Sequence, residues 1–86
     1  MTVVFYGGVT KYTNGDKTFK PKTHSTLQAL LEELSEYYGE HFKAFLNGSE
    51  TCLFLVNGTG IGLSGGLDSP LEKGDKIEIL PFVDAG

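Results

Sequence analysis

The sequence predicts an α+β protein in which a mixed sheet of four to five strands carries one main helix packed across one face. Three observations support this fold class: short β-branched and aromatic runs near both ends of the chain, one long segment with helical periodicity between them, and turn signals at the joints. The 86 residues suffice for one domain and are too few for two. The expected element order is strand, strand, helix, strand, strand, which places the helix on one side of one sheet.

Two strands open the chain. Residues 2–6 are all β-branched or aromatic, which is typical of a strand. Asn14 and Gly15 then form a turn signal. Residues 17–22 alternate weakly around Phe19. Because Pro21 cannot donate a hydrogen bond to a ladder, we expect this second strand at an edge of the sheet.

The strongest local pattern is that of an amphipathic helix. Ser25 or Thr26 can cap its N-terminus, and Gln28 stands three residues after Ser25, as in a capping box. The apolar residues recur at helical spacing on one face: Leu27, Leu30, Leu31, Leu34 and Tyr38. Gly39 is a natural C-terminal stop. Residues 40–46 are predicted to add a short helical turn.

A wholly apolar run and a glycine-rich segment follow. Residues 53–56 predict a strand buried in the middle of the sheet, ended by Asn57 and Gly58. Residues 58–66 are predicted as a loop. Its glycine spacing matches a dinucleotide-binding pattern, but Pro70 soon interrupts any helix and too little chain remains for the rest of such a site. A mobile loop that contacts a partner is therefore the preferred interpretation.

The last strand is predicted over residues 76–80. Ile77 and Ile79 alternate with Glu78 and Leu80, so the two pairs lie on opposite faces of the sheet. The following proline ends the strand in this prediction, and the chain divides into a domain over residues 1–81 and a flexible C-terminal tail over residues 82–86.

Composition excludes several classes of function. The net charge of −4 opposes binding to nucleic acid, which depends on cationic neutralisation of phosphates. No segment approaches a membrane-spanning length. The single cysteine, Cys52, cannot form an internal disulfide, which fits a cytoplasmic protein. His24 and His41 are isolated in the sequence, so no metal site is expected.

Two segments carry a family resemblance, 55–58 (Leu-Val-Asn-Gly) and 70–81 (Pro-Leu-Glu-Lys-Gly-Asp-Lys-Ile-Glu-Ile-Leu-Pro), in a chain that ends in Gly86. They resemble the MoaD-type small subunits of molybdopterin synthase. These belong to the MoaD/ThiS family of sulfur carriers. The resemblance covers nearly the whole chain. It implies a β-grasp (ubiquitin-like) fold in which the first and last strands lie side by side and parallel in the centre of the sheet.

The resemblance also implies a function that resides in the C-terminal carboxylate. An activating enzyme would adenylate Gly86 with ATP, and sulfur transfer would then give a thiocarboxylate. The tail would insert into the large subunit of molybdopterin synthase and donate sulfur for the molybdenum cofactor. The chain is then a protein co-substrate rather than an enzyme, it binds no cofactor itself, and ATP is used by its activating partner.

One residue departs from the family pattern. The family ends in Gly-Gly, whereas this chain ends in Ala85 and Gly86. A methyl group at the penultimate position restricts the backbone and takes up room in a pocket shaped for glycine. Two alternatives therefore stay open: a ubiquitin-like protein-binding module without sulfur transfer, and a ThiS-like carrier for thiamin biosynthesis.

A docking surface is predicted on the sheet face that the helix leaves open. If Ile77 and Ile79 face the helix, Leu80 faces outward, and Tyr6 lies on the same side. Neighbouring exposed apolar residues on central strands indicate a binding surface. The residues assigned to partner binding are Tyr6, Ile61, Leu80, Phe82, Val83 and Asp84, with Ile61 and Phe82 at the rim and the last two in the tail.

Overall fold

The computed structural model describes residues 1–22, 24–47, 52–61, 66 and 68–81. Its strands are β1 (Thr2–Phe5), β2 (Thr18–Phe19), β3 (Cys52–Val56), β4 (Thr59–Ile61) and β5 (Lys76–Pro81), and its α-helices are α1 (Leu27–Tyr38) and α2 (Glu40–Asn47). A 3-10 helix spans Gly7–Tyr12. The strands form one mixed sheet in the order β2-β1-β5-β3-β4, with the helices across one face. The predicted fold class is confirmed.

The central pair of strands is parallel, as the resemblance implied. β1 and β5 run side by side, with Val3 beside Ile77 and Phe5 beside Ile79. These four side chains are buried on the helix side of the sheet. β2 pairs antiparallel with β1 at the edge where Pro21 placed it. It is only two residues long, shorter than the predicted 17–22.

One apolar core joins the sheet to both helices. The sheet contributes alternate residues, and α1 contributes its predicted apolar face, because a period of two on a strand and of about 3.6 on a helix each gather one side of the element. The buried members are Val3, Phe5, Val9, Leu27, Leu30, Leu31, Leu34, Phe42, Leu46, Phe54, Leu71, Ile77 and Ile79. Tyr38, the last residue of the predicted face, packs against this cluster.

The ends of α1 show which capping residues act. Thr26 is the N-cap, and its Oγ1 accepts a hydrogen bond from the Ala29 backbone N–H at 3.3 Å. Ser25, the other candidate, instead accepts a backbone hydrogen bond from Leu71 at 3.0 Å through its carbonyl. Gly39 ends the helix with a φ of 97°, as predicted from its conformational freedom. The turn expected after it is a full eight-residue helix, α2, which buries Phe42.

The predicted loop over 58–66 is partly wrong, because residues 59–61 form β4. Asn57 and Gly58 have φ angles of 51° and 85°, the left-handed values of a two-residue hairpin turn. They link two paired strands, β3 and β4, instead of only ending the first. Residues 62–65 of the predicted loop lie outside the described part of the chain.

Two further differences concern surfaces. The 3-10 helix over Gly7–Tyr12 was not predicted, and it buries Val9. β3 lies between β5 and β4, but it is not covered on both faces, since Leu53 is 41% exposed. Within the described ranges, no helix has the length and apolar character needed to cross a membrane.

Candidate functional site

In the described part of the chain, no helix covers the side of the sheet opposite α1 and α2. Because side chains alternate along a strand, the residues between the buried ones point to this open face. β5 contributes Glu78 and Leu80, since Ile77 and Ile79 are buried. Leu55 and Val4 flank Glu78 on the neighbouring strands, as their register partners. We call this surface the open face.

An apolar row crosses the open face at the end where β5 leaves the sheet. Leu53 lies directly opposite Leu80 in the ladder between β3 and β5. Tyr6 follows β1 on the other side of β5, and its backbone N–H donates to the Ile79 carbonyl at 3.0 Å. Tyr6 is 38% exposed and Leu53 is 41% exposed. The structure thus brings Tyr6 and Leu80 together, and it adds Leu53, which the interpretation of 53–56 as a fully buried strand had missed.

A carboxylate lies beside this row. The Tyr6 hydroxyl donates to Glu78 Oε2 at 2.6 Å, and Lys76 Nζ is 3.8 Å from the same oxygen. The pKa of Tyr6 is raised, first because the neutral hydroxyl donates this hydrogen bond, and then through desolvation and the negative charge of Glu78. The open face therefore combines apolar side chains with one acid near its middle.

The sheet fixes the position of Pro81, the residue directly before the C-terminal tail. Pro81 is the last residue of β5 and pairs with Cys52 in β3. Gly7, the first residue of the 3-10 helix, has a φ of +54°, and a Cβ built on it would lie 3.2 Å from Pro81 Cγ. Glycine fits this position because it has no Cβ and tolerates left-handed angles. Pro81 can therefore lie against the backbone at Gly7.

Several predicted site residues lie outside the described part of the chain. These are Phe82, Val83, Asp84, Ala85 and Gly86. The backbone of Ile61 pairs with Phe54 at the end of the sheet edge strand, while its side chain is outside the described part. Their assignments to partner binding and acyl transfer stay predictions.

Asn57 and Asp75, which belong to the two motifs that carried the resemblance, form hydrogen bonds at the end of the sheet opposite the apolar row. Asp75 accepts hydrogen bonds from the Glu72 backbone N–H at 2.7 Å and from Asn57 Nδ2 at 2.9 Å. These bonds, the first above all, lower the pKa of Asp75 because they stabilise its charged form. Asn57 Oδ1 in turn accepts from the Lys76 backbone N–H at 3.0 Å. The motif therefore ties the β3–β4 turn to the start of β5, which is a structural role.

In the part of the chain that the structure describes, the remaining candidates give no second chemical site. His24 contacts the Glu33 carboxylate through Nε2, and Glu33 also accepts from the Lys22 backbone N–H at 3.1 Å. Glu33 therefore anchors the segment before α1. Among the described residues, no group of three or more His, Cys, Asp or Glu side chains is placed to hold a metal ion.

Comparison with known proteins identifies relatives of the same fold. Mycobacterium tuberculosis CysO, described as an antigen, is 26% identical, with a TM-score of 0.77 over 95% of this chain and 98% of that one. A chain from the complex of subunits 1 and 2 of the molybdopterin-converting factor of Helicobacter pylori is 29% identical, with a TM-score of 0.63 over 99% and 96%. A chain of the Amycolatopsis orientalis BexX/CysO complex shares the fold at 23% identity, with a TM-score of 0.79 over 99% and 98%.

Two comparisons of the sequence gave different results. No curated protein matches the chain. The model of the ThiS family matches residues 3–86, which is nearly the entire sequence. The structural relatives include a subunit of a molybdopterin-converting factor complex and CysO, and all of them share the sheet and helix arrangement described above. The chain therefore belongs to the ThiS family of ubiquitin-like sulfur carriers.

Proposed function

We propose that the chain carries sulfur for molybdopterin biosynthesis on the carboxylate of Gly86. The observation that supports this most directly is the family match, which extends through residue 86. The likeness to the Helicobacter pylori complex, at 29% identity, favours the molybdenum cofactor as the destination of the sulfur. The proposal requires residues 82–86 to extend beyond the domain at 1–81 as a tail that another protein can reach.

The chemistry needs an activated acyl group. A carboxylate resists nucleophiles because it is negatively charged and has no good leaving group. In the proposed reaction, a Gly86 carboxylate oxygen attacks the α-phosphorus of ATP, and pyrophosphate leaves. A sulfur nucleophile from a donor then attacks the acyl carbon, and AMP leaves. When the donor is a persulfide, a second thiolate then attacks the donor's own sulfur, a disulfide forms, and the thiocarboxylate leaves. Its sulfur is a better nucleophile than the original carboxylate oxygen.

The division of labour follows from what the domain offers. Donors, charges and metal ions that stabilise the two displacements would come from the activating enzyme. The chain supplies a terminal acyl group, a thin tail and the open face for docking. We propose that Tyr6 and Leu80, with the predicted rim and tail residues, contact this enzyme and the large subunit of molybdopterin synthase in turn. The cytoplasm, which holds ATP, is the proposed location.

Two alternatives have a specific observation behind each. Ala85 stands where the family has glycine, which favours a binding module that has lost sulfur transfer. The family model carries the name of ThiS, which favours a thiamin precursor as the sulfur acceptor. Both alternatives keep the same fold and the same open face, so they differ from the main proposal only in the chemistry at the tail.

Mass spectrometry tests the proposal. The purified chain is incubated with the activating enzyme of the same organism, ATP and a sulfur donor. We expect the mass change of one oxygen-to-sulfur exchange. A variant that lacks Gly86 should show no change and should keep the wild-type circular dichroism and melting temperature. An Ala85→Gly variant serves as the matched control and should be charged at least as fast.

The outcomes separate the three functions. An unchanged mass with an enzyme that charges its other carriers would contradict sulfur transfer and favour the binding module. A charged chain that converts a molybdopterin precursor, with the large subunit present, supports the main proposal. A charged chain that serves only thiazole formation selects the thiamin alternative.

A further inference from the structure

We propose that the open face docks on a protein surface that presents an arginine guanidinium to Glu78 within an apolar surround. The inference rests on the proposed function and deepens it, because it names the chemistry by which the activating enzyme recognises this chain. It starts from the position of one carboxylate that the tail chemistry does not use.

Glu78 occupies the middle of the open face. It lies on β5, the central strand of the sheet, between Val4 of β1 and Leu55 of β3. Leu80 is the next outward residue along the same strand, and Leu53 pairs with it. Only 15% of the Glu78 side chain is exposed. A partner that covers the apolar row at Leu53 and Leu80 must therefore cover this carboxylate as well.

Within the described part of the chain, Glu78 has one ion-pair partner, Lys76, which is largely exposed. Oε2 accepts the Tyr6 hydroxyl at 2.6 Å, and no described residue donates a hydrogen bond to Oε1. Lys76 Nζ is 3.8 Å from Oε2, beyond hydrogen-bond length, and its side chain is 55% exposed. Solvent-screened pairs of this kind contribute little energy. Most of the negative charge of the carboxylate is therefore available to interact with a cation of a partner protein.

The charge of Glu78 matters most when a partner covers the open face. A carboxylate that loses its water without gaining a compensating charge is strongly destabilised, because a medium of low dielectric constant disfavours the charged form. Apolar contacts at Leu53 and Leu80 would offset only part of that cost. A partner that places a cation at Glu78 avoids this penalty, because the exposed Lys76 compensates the charge only in part, and partners without a cation are disfavoured.

Arginine fits this position better than lysine. Its planar guanidinium can donate to Oε1 while it also stacks on an aromatic ring, and the Tyr6 ring stands next to the carboxylate. Guanidinium groups are also more weakly hydrated than ammonium groups, so they are easier to bury in an interface. The Tyr6–Glu78 hydrogen bond holds both receiving groups in one geometry before the partner arrives.

The test compares two single-charge variants of the full chain. Glu78→Gln removes the charge from the open face, and Glu36→Gln removes the same charge from an exposed position on α1. The probe is the activating enzyme that thiocarboxylates the wild-type chain, with the dissociation constant measured by calorimetry. We expect Glu78→Gln to weaken binding roughly tenfold to hundredfold. Glu36→Gln should bind as tightly as the wild type.

A third variant separates the charge from the internal hydrogen bond. Tyr6→Phe breaks the bond to Glu78 and keeps both the aromatic ring and the carboxylate. If the charge of Glu78 drives recognition, Tyr6→Phe loses much less affinity than Glu78→Gln. Equal losses in these two variants would show that the hydrogen bond only shapes the sheet, and the inference would be wrong.

The result also separates this inference from the proposed function. Thiocarboxylation of the wild type, with identical binding by Glu78→Gln and Glu36→Gln, overturns the arginine contact and leaves the carrier function intact. A selective loss in Glu78→Gln supports it. Charge reversal gives the final check: Glu78→Arg should abolish binding, and an arginine-to-glutamate change at the contacted position of the enzyme should restore it.

Discussion

The contact between Gly7 and Pro81 predicts a difference between two neighbouring glycines. Gly7→Ala places a methyl group at a backbone φ of +54° and 3.2 Å from Pro81 Cγ. Gly8→Ala places the same methyl group one residue later, where nothing lies within 4 Å and φ is not positive. The two variants are therefore matched in composition and in position along the 3-10 helix.

The expected difference in the free energy of unfolding comes from the contributions that differ between the two variants. Alanine at left-handed angles costs about 1–2 kcal/mol relative to the right-handed region. Either substitution also restricts the unfolded chain, which stabilises the fold by about 0.4–1 kcal/mol, but this gain is common to both variants. In addition, the Pro81 ring must move aside in Gly7→Ala but not in Gly8→Ala. We expect Gly7→Ala to be less stable than Gly8→Ala by about 1–2 kcal/mol, which is roughly 4–16 °C in Tm for a domain of this size.

Thermal unfolding followed by circular dichroism measures this difference, and the charging assay on the same samples gives its functional side. Because Pro81 directly precedes the C-terminal tail, Gly7→Ala should also slow thiocarboxylation at a temperature where it is fully folded. Equal melting temperatures for the two variants would refute the reasoning, since they would show that neither the left-handed angle nor the contact with Pro81 constrains residue 7.

Three further predictions concern the scaffold. Thr26→Ala should destabilise the protein by about 1 kcal/mol in urea unfolding, because it removes the N-cap of α1, whereas Ser25→Ala, at an exposed side chain, should be neutral. Leu30→Ala should cost about 2–5 kcal/mol, because Leu30 is completely buried, and a smaller loss would show that the core closes around the cavity. Asp75 has a lowered pKa when folded, so its contribution to stability is complete above the ordinary pKa of 3.8 and is lost as the pH falls through the lower folded value. Asp75→Asn should therefore reduce stability at neutral pH and flatten the acid side of the stability curve, and an unchanged acid limb would contradict this.

Local patterns predicted the elements that depend on nearest neighbours. The leucine spacing of α1 and the alternation of Ile77 and Ile79 appear in the structure as buried faces, because periodicity is a property of each element by itself. Asn57 and Gly58 show the limit of such signals. Their residue types indicated a turn, but only the pairing of β3 with β4 shows that the turn joins two strands.

The candidate site divides in the same way. The sequence placed Tyr6 and Leu80 on the outward side, since alternation fixes the face of each residue. It did not indicate that Leu53 completes their row, because a continuous apolar run gives no alternation from which an exposed side could be deduced. The MoaD-like motif at Asn57 and Asp75 identified the family correctly, yet its hydrogen bonds hold two loops together rather than perform chemistry.

By itself, the sequence determined the fold class, the family and the faces of the main helix and of the last strand. Only the tertiary structure decided which distant residues meet. Tyr6 and Glu78 are 72 positions apart and share a hydrogen bond because β1 and β5 are parallel neighbours, and Gly7 reaches Pro81 for the same reason. Strand order is set by the packing of the whole core, and no local pattern of residues encodes it.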